Sequence, residues 1–166
     1  MLNPNNHTLH EALTEVGSVQ TREEKVQLLH KWQSFALQML LRGAYDDSIQ
    51  FNLPEGAPPY KAANEATSPA VIQKQVKNNF KYLAKGGAGD NMMPAKREKM
   101  FIGMLSIVHP DDAPLLIAMK DKKFQGLYKG VTKLAVQEAW PNLIKEFEIG
   151  KNIGNKKILT KIRPAI

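Results

Sequence analysis

The chain has 166 residues, with 23 lysines and arginines against 16 aspartates and glutamates, and no cysteine. A unit of this length buries roughly two-thirds of its unfolded surface, so neither a disulfide nor a structural metal is required for folding. The lack of cysteine excludes disulfides, zinc-thiolate sites and thiol nucleophiles, and no stretch approaches the roughly 18 apolar residues of a membrane span.

The opening, MLNPNNHTLHEALTEV, has no basic region followed by an apolar core, and the expectation is an unprocessed intracellular protein with no membrane contact. The net charge of +7 is unevenly spread. Residues 1–69 sum to −3, residues 70–133 to +7, residues 134–149 to −2 and residues 150–166 to +5. A basic middle and end behind an acidic front is the asymmetry of a chain that meets a polyanion on one side.

Two capping boxes open the helical part. Thr8-Leu9-His10-Glu11 starts a short helix that runs to about Val16 and stops at Gly17, and Thr21-Arg22-Glu23-Glu24 starts a long one to about Arg42. Val26, Leu29, Trp32, Phe35, Ala36, Met39 and Leu40 fall at helical steps along the second, with Gly43 as its stop. Residues 44–69 hold four prolines and admit no regular element. Ile49, Phe51, Leu53 and Tyr60 give this segment apolar anchors, so a loop docked on the core is expected in place of a free linker.

A third helix is expected from near Pro69, capped by Ser68, with Val71, Ile72, Val76, Phe80 and Leu83 on one side. Its other side carries Lys74, Lys77, Lys81 and Lys85. A flexible glycine joint, GGAGDN, leads to a fourth helix at Pro94 that begins with Lys96, Arg97 and Lys99 and turns apolar. After Pro110 comes a helix with Asp111 and Asp112 in its first turn, where negative charge suits the dipole, and its LLIAM run belongs in the middle of the fold. Thr132 caps a last helix that Pro141 breaks or kinks before NLIKEF completes it. The fold class is therefore all-α: an irregular bundle of six or seven helices over residues 1–149, followed by a basic tail, 150–166.

Three stretches, LPEGAPPYK (53–61), HPDDAPLLIAMKDKK (109–123) and YKGVTKLAVQEAWPNL (128–143), together with TLHEALTEV near the start, resemble a family of small proteins of tailed bacteriophages, including the contractile-tailed phages of marine bacteria. The resemblance implies a phage source and hence the host bacterial cytoplasm, with the virion as the alternative. It brings no activity, cofactor or catalytic residue, and it points by analogy to an accessory factor or a modulator of a host machine.

No catalytic constellation emerges, and no enzyme activity, metal or cofactor is expected. His7 and His10 lack a third ligand, and adjacent acids such as Asp46-Asp47 and Asp111-Asp112 diverge on a helix. The glycine joint lacks phosphate-loop spacing, and the eleven residues from Asp121 to Val131 are too many for a helix-turn-helix connection. The functional signal is charge. Lys74, Lys77, Lys81, Lys85, Lys96, Arg97 and Lys99 around the joint, with Lys151, Lys156, Lys157, Lys161 and Arg163 in the tail, suit phosphate contacts to DNA or RNA.

Among the aromatics, which fall mostly at core spacing, only Tyr82 amid the lysines offers itself as an exposed stacking platform, and a place on the helix rim is the reading preferred for it. Ile158, Leu159 and Ile162 in the tail are more than an electrostatic arm needs, and they suit a contact with the body, a second copy or a protein partner. The alternative to nucleic-acid binding is accordingly an adaptor that docks on a phage or host protein through the tail and the proline-rich loop.

Overall fold

The computed structural model describes residues 6–144. Seven helices and no strand occur among them: α1 (Leu9–Ser18), α2 (Arg22–Lys31), α3 (Phe35–Tyr45), α4 (Val71–Leu83), α5 (Pro94–Ile107), α6 (Ala113–Lys120) and α7 (Lys133–Ala139). The protein is all-α. The tail residues Lys151, Lys156, Lys157, Ile158, Leu159, Lys161, Ile162 and Arg163 lie outside the described residues. Of the stretch expected to complete the last helix after Pro141, residues 142–144 form a turn and a bend, and the rest lies outside the described residues.

Both capping boxes form. Thr8 Oγ1 accepts from the Glu11 N–H while the Glu11 carboxylate accepts from Thr8 N–H at 2.8 Å, and Thr21 and Glu24 repeat the exchange. The helix expected to run unbroken from Thr21 to Arg42 is two helices. Trp32 closes α2, and Ser34 in extended backbone caps α3 by accepting from Leu37 N–H. The break escapes a periodicity reading because the apolar rhythm continues in phase across it. What holds it open is tertiary: Gln33 accepts from the Trp140 indole at 2.8 Å, and the Gln73 amide accepts from Ala36 N–H at 3.0 Å.

Gly43 is no stop. It lies buried inside α3, which runs on to Tyr45, and an added Cβ would stand 2.7 Å from the Met119 sulfur and 3.0 Å from Phe51. Glycine here lets α3 and α6 approach closely.

Helices α3, α4, α5 and α6 close a ring in which each packs on the next and α6 returns to α3, while α1 and α7 both pack on α2. One apolar core runs through both groups, with Leu13, Leu37, Leu41, Leu105 and Leu116 among its most enclosed side chains. Asp112 fastens the two groups together. It is fully buried just before α6, where its own helix was expected to use it, yet its carboxylate accepts from Leu9 and His10 N–H at 3.3 and 3.0 Å, at the start of α1. With Thr8 serving Glu11 and Ala12, all four leading N–H groups of α1 are satisfied.

Residues 46–69 lie along the ring. Phe51 is buried and meets Phe80 edge-on at 5.5 Å, and Leu53 and Tyr60 pack on the core. The buried Lys120 ammonium donates to the carbonyls of Pro54 and Gly56, both at 2.9 Å, which secures the proline-rich stretch from beneath.

Candidate nucleic-acid interface

Helix α4 turns Ile72, Val76 and Leu83 into the core and leaves Lys74, Lys77 and Lys81 exposed, so burial of the apolar side fixes where the lysines point. Its C-terminal end is tied to the loop before the proline run by an antiparallel bridge between Phe51 and Ala84. Asn52 N–H donates to Leu83 at 2.8 Å and Lys85 N–H to Gln50 at 2.7 Å. The Lys85 side chain is exposed at that edge.

The glycine joint, expected to be flexible, is a closed turn. Gly86 N–H donates to both Asp90 carboxylate oxygens at 3.0 Å, and the backbone folds back through bonds from Asp90 to Gly87 and from Met92 to Gly89. Arg97 seals it. Expected from sequence among the phosphate contacts, Arg97 is 5% exposed and spends its guanidinium on three carbonyls: Asn52 at 2.7 Å, Gly89 at 2.9 Å and Met92 at 3.0 Å. A cation buried among carbonyls is a clamp, and it is unavailable to a ligand. Lys96 and Lys99, on the turns flanking it, are exposed.

The six remaining lysines, 74, 77, 81, 85, 96 and 99, share one electrostatic feature. Among the described residues none of them stands in an ion pair, whereas Lys123 pairs with Glu55 at 2.9 Å, Lys133 with Asp47 at 3.6 Å and Arg22 with Glu138 at 3.4 Å. Neither α4 nor α5 has an acid in its first turn, so the cations at the start of α5 stand against the helix dipole. Asp90 in the joint and Glu98 on α5 are the acids of this stretch, so positive charge outnumbers negative over residues 74–99.

Tyr82 is half-buried, as a helix-rim residue is expected to be, with the Lys81 ammonium 5.2 Å from its ring centre. The aromatic that is open is Phe35, at 50% exposure. It stands at the first position of α3 and lines a shallow hollow of about 420 Å³ with Gln73, Lys74, Lys77 and Asn78. The sequence signal was Ser34. Once Ser34 caps a helix, the buried side is Ala36, Leu37, Leu40, Leu41 and Ala44, and Phe35 falls off it.

The remaining polar candidates have structural partners. His7 packs edge-on against Trp32 at 4.8 Å, and His10 is within 2.7 Å of the Tyr128 hydroxyl. Among the described residues, no cluster of three or more histidines and acids gathers as a cation site. Helix α7 packs on α2, with His30 Nε2 2.6 Å from the Ala139 carbonyl and the Trp140 indole donating to Gln33. No described helix is long and apolar enough to cross a membrane.

Residues 12–126 match the model of a family of unknown function, DUF6433. The chain belongs to that family. The match runs from within α1 past the end of α6, and so takes in the lysine-bearing α4, the joint, the Arg97 clamp and Phe35. No curated protein matches the chain.

Proposed function

We propose that this protein is a non-enzymatic accessory factor that binds nucleic acid through phosphate contacts made by Lys74, Lys77, Lys81, Lys85, Lys96 and Lys99, with the basic tail adding to them. The observation that carries this reading is the set of six exposed lysines without a single ion pair among the described residues, in a molecule whose other cations are mostly paired or clamped. A face that served only for solubility would gain by interleaving acids, which here would also suit the start of α5. The resemblance to phage proteins supports such a factor, with the host bacterial cytoplasm as the proposed compartment.

Six phosphate contacts make duplex binding fall roughly a thousandfold between 50 and 200 mM salt. The test is fluorescence anisotropy with labelled single- and double-stranded DNA and RNA at those two salt concentrations. It compares the full chain, a truncation after Glu148, and a variant with Lys74, Lys77, Lys81 and Lys85 all changed to Glu. Steeply salt-dependent binding, lost in the four-lysine variant and weakened by truncation, is expected. If none of the four nucleic acids binds at 50 mM salt, the proposal fails and the adaptor reading takes its place.

A further inference from the structure

We infer that the hollow around Phe35 is a stacking site for an unpaired base, so that the nucleic acid bound is single-stranded. This rests on the phosphate-binding reading above and adds the class of ligand to it.

Phe35 is 50% exposed at a helix start whose backbone is tied to its neighbour. Ser34 accepts from Leu37 N–H, Gln73 accepts from Ala36 N–H at 3.0 Å, and the Gln73 amide donates back to Ser34 Oγ at 3.1 Å. These bonds bolt the start of α3 to α4, so the backbone that carries the ring is held beside the lysine row. The same bonds occupy the Ala36 and Leu37 N–H groups at the start of α3, so those two donors are not open to an anion.

The walls of the hollow decide among occupants. Lys74 and Lys77 stand on one side of it, one turn apart on α4, and no acid lines it. A strand laid along α4 therefore has two cations for its phosphates beside a base that reaches Phe35. Stacking of a base on an aromatic ring is worth roughly 1–3 kcal/mol, and it needs a base free of its neighbours, which a duplex offers only at its ends. The fixed Gln73 amide is committed to the protein backbone and to Ser34, which leaves Asn78 as the only lining amide for base edges. The site accordingly selects for strandedness more than for sequence.

The experiment measures the affinity of the full chain at 50 mM salt for three probes of equal length: oligo-dT, an abasic oligonucleotide with the same phosphates, and a duplex. Oligo-dT should bind between about five- and a hundredfold more tightly than the abasic strand. Phe35→Ala should remove that difference while leaving duplex affinity and the salt slope unchanged, and Phe35→Trp should restore it. Equal affinity of the native chain for dT and abasic strands overturns the inference whatever the variants do. So does a Phe35→Ala chain, with native unfolding midpoint, that keeps its preference for dT; the hollow is then left to a protein partner. In both of those cases loss of binding on reversing Lys74, Lys77, Lys81 and Lys85 leaves the phosphate-binding proposal standing, whereas absence of binding to every probe removes both.

Discussion

Arg97 ties three backbone carbonyls from two loops to the start of α5, in a place where water does not replace it. Each buried carbonyl that loses its donor costs about 1–3 kcal/mol. Arg97→Ala is therefore expected to destabilise the protein by about 3–5 kcal/mol, read from the urea midpoint, with Lys99→Ala, two residues on, staying within about 0.5 kcal/mol. Equal effects of the two would refute the clamp. Asp112 is the other residue whose environment matters. Burial raises its pKa from 3.8 to about 6, against the two N–H groups of α1 and the nearby His109, which favour the carboxylate; Asp111 works with burial. A folded-state pKa above the unfolded one means that the folded state holds the proton more tightly. The resulting stabilisation is complete below pH 4 and is lost as pH rises through about 6. It amounts to about 3 kcal/mol. Asp112→Asn cannot titrate, so the stability of the native chain relative to this variant should fall by about that amount between pH 4 and 7, and a flat difference would contradict the assignment.

The contrast between two glycines belongs to the scale of elements. Gly89 sits in the closed joint where an added Cβ would collide with the backbone carbonyl of Tyr82, so any side chain there forces the end of α4 away from the joint. Gly103 lies inside α5 with nothing within 4 Å of the place a Cβ would take. Gly89→Ala should therefore destabilise by roughly 2 kcal/mol or more through strain, and Gly103→Ala should stabilise by up to about 1 kcal/mol through helix propensity. Thermal unfolding of the two variants checks both signs. The same distinction explains how far the elements were legible. The starts of α1, α2 and α7 were readable because Thr8, Thr21 and Thr132 act on backbone within three residues of themselves. The break at Gln33-Ser34 and the continuation of α3 through Gly43 were not, because their partners, Trp140, Gln73 and Met119, are 37 or more residues away.

For the whole molecule, charge is divided into two populations with different work. Lys25, Arg97, Lys120 and Lys122 face inward, each donating to two or three carbonyls. Lys25 closes the end of α1 through Val16 and Val19 and reaches Lys129, while Lys122 holds Gly43 and Asp46. Lys122 even takes the left-handed backbone that usually falls to glycine after a helix, at φ 59°, and burial lowers its pKa. The six lysines at 74, 77, 81, 85, 96 and 99 face outward, and among the described residues none stands in an ion pair. A count of charge along the chain cannot separate these populations, since burial is a property of what packs over a residue.

By itself the sequence determined the helical class, the threonine caps of α1, α2 and α7, the absence of thiol chemistry and the basic middle of the chain, because each follows from local hydrogen bonding, local spacing or composition. The cap expected at Ser68 does not form, since α4 begins at Val71 after Ala70 with no side-chain cap. Only the tertiary structure decided that Arg97 is a clamp, that Asp112 serves α1 in place of its own helix, that the glycine joint is closed, and that Phe35 is the open aromatic in place of Tyr82. Each of these depends on which distant backbone comes within hydrogen-bonding or packing distance, and burial of a common apolar core sets that for the whole chain at once.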